Sequence, residues 1–266
     1  MTVFLITGAT GNLGGAALRS ILDRTSSADV RVLVRNPSDA ARFVSQGLTV
    51  RVGDYSNRAS LADAFVGVDT VVFVSSSVLD PVIRAAQHRA VVESAAFAGV
   101  TFVVYTSGMG AEHDPGHSAA EQALADSGVP HTILRNALYT EPFVAKSIAD
   151  ARDGVIKSAS DGQMIATAAI SDLGECAAKA AVDRPRTPLW ELRGPAWTYE
   201  DMAKTVSALT GTPVAHEEVA DTDTGPFAVL FPLVRRGVFA AETDHLATLL
   251  GRTPMSIADV AARLLR

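Results

Sequence analysis

The chain has 266 residues, 48% of them hydrophobic and 20% charged, with a formal charge of −6 and a pI near 5.5. That size holds one large domain or a domain with a smaller lobe, and with no long basic run it lacks the electrostatic footprint of a nucleic-acid binder. Cys176 is the only cysteine, which excludes an intrachain disulfide and a thiolate-rich metal site and fits a reducing cytoplasm.

Thr2 to Thr7 is a short apolar run suited to a strand. It leads directly into Gly8-Ala-Thr10-Gly11-Asn12-Leu13-Gly14-Gly15, then a helix over Ala16 to Leu22, then a second strand over Val30 to Val34. Strand, glycine-rich turn, helix and strand form the context that a dinucleotide-binding motif requires. Gly8 allows the tight turn, Gly11 a close approach to a pyrophosphate, and Gly14 close packing of the helix on the sheet; the free amides at the helix start face the phosphates. The spacing is GxxGxxG rather than GxGxxG, so its specificity comes from this context. Because the N-terminus is needed as a strand, no signal peptide is expected, and no apolar run reaches the length of a membrane span.

The tip of the second strand has no acid to bind a ribose 2′-OH. It has Arg35, followed by Asn36 and Pro37, and a guanidinium suits a 2′-phosphate. NADP(H) is therefore expected over NAD(H).

A short helix is expected over Pro37 to Gln46, and a third strand over Leu48 to Val52 ends at Gly53-Asp54-Tyr55, a polar tip for an adenine. Ser60 to Phe65 reads as a helix capped by Asn57 or Ser60. Thr70 to Val74 is a fourth strand, followed by Ser75, Ser76 and Ser77, small hydroxyl residues where a doubly wound sheet binds ligands. Pro81 to Ala98 is a long helix stopped by Gly99. Phe102 to Thr106 is a fifth strand leading into Ser107, Ser118 to Ser127 a helix, and His131 to Arg135 a sixth strand. This strict alternation argues a parallel sheet with helices on both faces, an α/β doubly wound (Rossmann) fold.

The second half is less regular. Helices are expected over Pro142 to Ala151, from a Ser171-Asp172 cap to Val182, over Tyr199 to Leu209 behind a Thr198 cap, and over His245 to Leu250 and Ile257 to Leu265. Gly154 to Met164 reads as a turn-rich excursion, Leu189 to Leu192 as a seventh strand and Val214 to Val219 as a short strand; Phe227 to Phe239 is apolar but broken by Pro232 and Gly237. The expected organisation is an NADP(H)-binding domain over residues 1–150, its sheet completed by 188–193, and a smaller, partly interleaved substrate-binding lobe over 151–266.

Short-chain reductases usually carry a Tyr-x-x-x-Lys pair after the fifth strand, the Tyr delivering a proton and the Lys lowering its pKa. The matching place here holds His117-Ser-Ala-Ala-Glu121. Two readings stand: His117 as a proton donor that Glu121 orients, or a helix-start histidine beside a surface glutamate. A metal site of His113 and His117 is not expected, because Pro115 and Gly116 lie between them and a shared helix face is lost. Hydride transfer itself needs no protein acid, so a readily reduced acceptor such as a quinone needs mainly positioning.

The chain resembles the NmrA-like, atypical short-chain dehydrogenases, and among them the bacterial NADPH:quinone oxidoreductases. The matching segments are Ile6-Thr-Gly-Ala-Thr-Gly-Asn-Leu-Gly14, Val34-Arg-Asn-Pro37, Ala86-Gln-His-Arg89, Val104-Tyr-Thr-Ser107, Ala123-Leu-Ala-Asp-Ser-Gly128 and Leu134-Arg-Asn136, and the Trp197-Thr-Tyr199 region is similar too. The resemblance implies NADPH along Gly8 to Leu13, at Arg35 and near Ser75 to Ser77, and a nicotinamide pocket near Asn136 to Phe143 where Tyr139 stacks on a flat acceptor. Those reductases also lack the Tyr/Lys pair. Gly110 to Gly116 and Gly225 to Phe239, which would line the substrate mouth, match less well.

The expected activity is NADPH-dependent hydride transfer to a quinone or similar conjugated carbonyl. His117, Tyr139 and Asn136 stand on the acceptor side; the glycine turn, Arg35, Asp54, Ser75, Ser76, Ser77, Ser107 and Asn136 stand on the cofactor side. A redox sensor that binds NADP(H) without turnover, and a tailoring reductase with Phe227 to Phe239 as its lid, are the alternatives. The expected partner is a small-molecule substrate rather than nucleic acid or membrane, and a homodimer is compatible with the sequence.

Overall fold

The computed structural model describes residues 2–266. The strands, in chain order, are β1 (Phe4–Ile6), β2 (Val30–Val34), β3 (Thr49–Val52), β4 (Thr70–Val74), β5 (Phe102–Gly108), β6 (His131–Asn136), β7 (Val155–Ser158), β8 (Ile165–Ala166), β9 (Leu189–Leu192), β10 (Ala196–Trp197) and β11 (Ala215–Glu218). The helices are α1 (Asn12–Leu22), α2 (Ala40–Val44), α3 (Arg58–Phe65), α4 (Pro81–Phe97), α5 (Pro115–Ser127), α6 (Thr140–Asp150), α7 (Ile170–Asp183), α8 (Tyr199–Thr210), α9 (Phe231–Arg235), α10 (His245–Leu250) and α11 (Ile257–Leu264). They group into two compact units, one of residues 1–136 and 173–191, the other of 137–172 and 192–266. The sequence placed the division at residue 150; in the structure 137–150 group with the second unit and 173–191 return to the first.

In the first unit the sheet is parallel and runs β3-β2-β1-β4-β5-β6-β9. Phe4 of β1 aligns with Val30 of β2 on one side and Thr70 of β4 on the other. Strand order therefore reverses at β1 and β4, and the crevice beyond their C-terminal ends is where such a sheet binds ligands. Leu5, Val71, Phe73 and Val103 are fully or nearly fully buried, as expected of strands covered on both faces. Phe73 and Tyr105 pack with Phe65, Leu61 and Leu124 into one core. Helix α1 buries Leu13, Ala17, Leu18 and Ile21. Gly174 of α7 lets the two helices meet closely, since a Cβ there would lie 2.5 Å from that of Ala16.

The ends of β1 and β4 are fastened by polar groups. The Tyr55 hydroxyl lies 2.5 Å from Thr7 Oγ1 and 2.8 Å from the Val74 carbonyl, and the Val74 amide donates to Thr7 Oγ1 at 2.9 Å. Burial pushes the Tyr55 phenol above its ordinary range, so it stays a neutral strut between strand ends.

Three expectations need correction. Helix α5 begins at Pro115, not Ser118, because Asp114 caps it by accepting from the His117 amide at 2.9 Å. Asp172 does not cap α7. Its carboxylate takes Arg252 and the Met255 amide, each at 2.7 Å, while Glu141 receives the Ile170 amide. The excursion after Gly154 contains β7, which pairs in parallel with β11, a partner remote in sequence. The second unit also pairs β8 with β10 in antiparallel fashion. It packs Phe143, Trp197 and Tyr199 edge to face. Helix α8 carries the predicted Thr198 cap, completed by Asp201 as a capping box.

Candidate cofactor and active site

The glycine turn is built around two steric needs. Gly8 has φ +61°, which favours glycine. A Cβ on Gly14 would sit 2.3 Å from the Gly8 carbonyl oxygen, so the helix can begin against the turn only without a side chain. Gly11 closes the loop by donating to that carbonyl at 2.9 Å, and its own carbonyl receives the Gly15 amide at 2.9 Å. No side chain caps α1 and its first turn has no acid. The amides of Asn12, Leu13 and Gly14 are thus the orphan donors of a helix N-terminus, which favours an anion. Thr10 and Asn12 are exposed; the Leu13 side chain is buried, so Leu13 offers a ligand its main chain.

Arg35 is exposed just past β2, and among the described residues nothing bonds its guanidinium. Arg42, which sequence reasoning missed, stands by the same turn: its guanidinium donates to the Ala9 carbonyl at 3.2 Å and stacks on Phe43. The signal was available, since α2 follows the Arg35 loop and Arg42 is its one cation. The Asp54 carboxylate accepts the Ser56 amide at 2.8 Å, which shapes the loop after β3. Of the three serines after β4, only Ser76 turns inward. Its hydroxyl donates to Gln87 at 2.5 Å and its amide to His88 Nε2 at 2.8 Å. Ser77 is exposed, and the Ser75 amide donates to Thr106.

His117 and Glu121 lie one turn apart on α5, as their spacing requires, but they serve different networks. His117 Nε2 faces the Arg84 guanidinium at 2.8 Å, and Nδ1 faces the Tyr105 hydroxyl at 2.7 Å. A guanidinium can only donate, so Nε2 is the bare nitrogen and Nδ1 carries the proton toward Tyr105. Burial, then the Arg84 charge, lowers the imidazole to about 4. Arg84 is itself fixed by Asp114 at 2.7 Å.

Glu121 neither orients His117 nor stands as a free surface glutamate, the two readings the sequence left open. Instead it takes the Ser107 hydroxyl at 2.7 Å and the Arg135 fork at 3.0 and 2.7 Å. Burial opposes its charge, but those donors outweigh burial and hold the carboxyl below its usual range. The position that a lysine fills in the usual relay therefore holds a neutralised carboxylate. Ser107 is 4% exposed and its hydroxyl is committed to that pair.

Asn136 ends β6, aligned with Gly108 of β5, and its carbonyl receives the Met109 amide at 2.9 Å. The residue is 6% exposed, and its side-chain Oδ1 is buried with no hydrogen-bond partner. A buried acceptor left open at a strand's C-terminal end fits the amide of a bound group. Tyr139 belongs to the second unit, where it precedes α6 and bridges to Ala168. Burial, then Glu141, pushes its phenol upward.

Comparison with known proteins follows this geometry. A family model described as NAD(P)H-binding matches residues 8–173. The chain belongs to the NAD(P)H-binding family. Quinone oxidoreductase 2 of Escherichia coli is 35% identical over 225 residues, covering 82% of this chain and 78% of that protein. The crystal structure of the Escherichia coli NADPH-dependent quinone oxidoreductase complexed with NADPH superposes with a TM-score of 0.89 at 30% identity, covering 99% of this chain and all of that one. Triphenylmethane reductase of Citrobacter sp., solved with NADP(H), also gives 0.89, at 28% identity over 98% of this chain and 99% of that one.

Proposed function

We propose that this chain is an NADPH-dependent reductase that passes hydride to a quinone or a similarly planar conjugated acceptor. The observation that carries the reading is the pairing of a glycine turn and an uncapped start of α1 with a proton relay that is not there. Glu121, at the relay's lysine position, is closed off by Arg135 and Ser107. The relatives whose names record quinone and triphenylmethane reduction point to the same class of acceptor.

NADPH, when bound, supplies the hydride; the chain's residues bind, orient and exclude. The amides of Asn12 to Gly14 receive the pyrophosphate, and Arg35 with Arg42 receives the 2′-phosphate. Asp54 shapes the loop on the adenine side, and Ser75 and Ser77 keep their hydroxyls for the ligand. Asn136 Oδ1 accepts from the nicotinamide carboxamide. His117, neutral at pH 7 and bonded at both nitrogens, shapes the site as a fixed dipole and is not an imidazolium acid. A quinone that receives hydride needs one further proton, and water supplies it. The single buried Cys176 is in keeping with cytoplasmic residence.

Steady-state assays with NADPH and NADH against a panel of quinones test this. Turnover with NADPH and loss of the NADPH preference in Arg35→Ala are expected. NADPH binding without consumption by any acceptor would remove the enzymatic reading.

A further inference from the structure

The segment Ala86-Gln-His-Arg89 lies on α4, and no cofactor role reaches it directly. Gln87 is 8% exposed and His88 fully buried, yet both end on the loop after β4. Gln87 Oε1 accepts the Ser76 hydroxyl at 2.5 Å, while Gln87 Nε2 donates to Ser56 Oγ at 2.8 Å in the loop after β3. The same Ser76 hydroxyl receives the Val78 amide at 3.2 Å. His88 Nε2 accepts the Ser76 amide at 2.8 Å, and His88 Nδ1 lies 2.8 Å from the Gly116 carbonyl at the start of α5.

The Ser76 amide and the Gly116 carbonyl fix the tautomer, and the Tyr105 hydroxyl, 3.2 Å from Nδ1, can accept as well as donate. A peptide N–H only donates and a carbonyl only accepts, so the proton is on Nδ1 and Nε2 is bare. A protonated ring would set an N–H against the Ser76 N–H. Edge-to-face packing on Phe73 holds the ring's plane. Ser76 is thus held at both its amide and its hydroxyl by adjacent residues of one helix, and that helix reaches the loops after β3 and β4 together.

We propose that Gln87 and His88 are positioning residues for the cofactor, setting the Ser75–Ser77 loop through Ser76 while touching no ligand themselves. The inference rests on the NADPH-binding reading above. It differs from plain core stabilisation in one respect: the bond to Ser76 matters for affinity, and the bond to Gly116 does not.

Two shape-related substitutions separate these bonds. His88→Gln places an amide oxygen where Nε2 stood, so it keeps an acceptor for the Ser76 amide and loses the donor to Gly116. His88→Asn places an amide nitrogen where Nδ1 stood, so it keeps the donor and loses the acceptor. His88→Asn removes the one contact at Nε2, and His88→Gln removes those at Nδ1, where the Tyr105 hydroxyl also lies at 3.2 Å. NADPH affinity is read by cofactor fluorescence, with the thermal midpoint recorded alongside. His88→Gln is expected to bind NADPH within ~3-fold of the wild type, and His88→Asn ~10-fold more weakly at a similar midpoint. Equal affinities for the two variants, whether both weakened or both unchanged, would overturn the proposal. Should His88→Asn not fold, Gln87→Leu decides. It removes the acceptor of the Ser76 hydroxyl and is expected to weaken NADPH by a similar factor, and unchanged affinity would overturn the proposal. Failure of the wild type to bind NADPH would instead strike the underlying reading, so the two failures are distinguishable.

Discussion

At neutral pH His117 and His88 are both uncharged, His117 because burial and then the Arg84 charge oppose the imidazolium. For His88 burial also leads, and the bond to Gly116 only partly offsets it. Both stand at about 4, against an ordinary value of 6.5. The unfolded chain therefore binds protons that the folded chain refuses between those values, and stability falls as pH drops from about 6.5 toward 4. Thermal midpoints at pH 7.5 and pH 5 should differ by several degrees, and His88→Gln, which cannot titrate, should shrink the difference. A slope unchanged in that variant would contradict the neutral assignment. Arg35→Ala should weaken NADPH ~10- to 100-fold while leaving NADH within ~2-fold, because a guanidinium–phosphate contact is charge-assisted; titration with each cofactor checks it. An equal loss for both would refute the 2′-phosphate role.

At the scale of elements, α1 and α5 carry the proposed site, and they differ in how far the sequence revealed them. The glycine turn before α1 was readable, because a glycine triplet between a strand and a helix has few structural meanings, although the helix begins at Asn12 rather than at Ala16. Gly14→Ala should destabilise the protein by ~1–3 kcal/mol and abolish NADPH binding, since the new methyl would meet the Gly8 carbonyl. Denaturant unfolding and a binding titration would show both. The spacing of His117 and Glu121 was also legible, but their partners were not. Tyr105 comes from β5, Arg84 from α4 and Arg135 from β6, and no local pattern announces pairings between separate elements. Arg135→Met should cost ~3 kcal/mol in chemical denaturation, because it leaves the Glu121 carboxylate half-buried and unpaired. A loss below ~1 kcal/mol would mean that the pair is effectively solvated.

Across the whole molecule, the alternation of strands and helices as far as β6 was enough to give a parallel sheet covered on both faces; the strand order is a finding of the structure. Beyond Asn136 the rules weaken. Strand β7 finds its partner sixty residues on, and Asp172 serves Arg252 rather than its own helix. Such contacts are set by tertiary packing, which local periodicity does not report. The two interleaved units follow from the same fact, since the chain leaves the first unit after β6 and returns within α7. The proposed acceptor class rests on what α5 lacks and on family resemblance; the sequence did not give the acceptor itself.

The central claim is hydride transfer from NADPH to a planar acceptor without a protein acid. A single-turnover experiment with NADPH deuterated at the transferring carbon of its nicotinamide ring, mixed with enzyme and a naphthoquinone, tests it most directly. The account predicts loss of the reduced cofactor, slowed by deuterium on one face only, at a rate that His117→Gln changes by less than ~10-fold. Reduced cofactor that stays bound and is never consumed, or a rate that collapses with His117 alone, would contradict it.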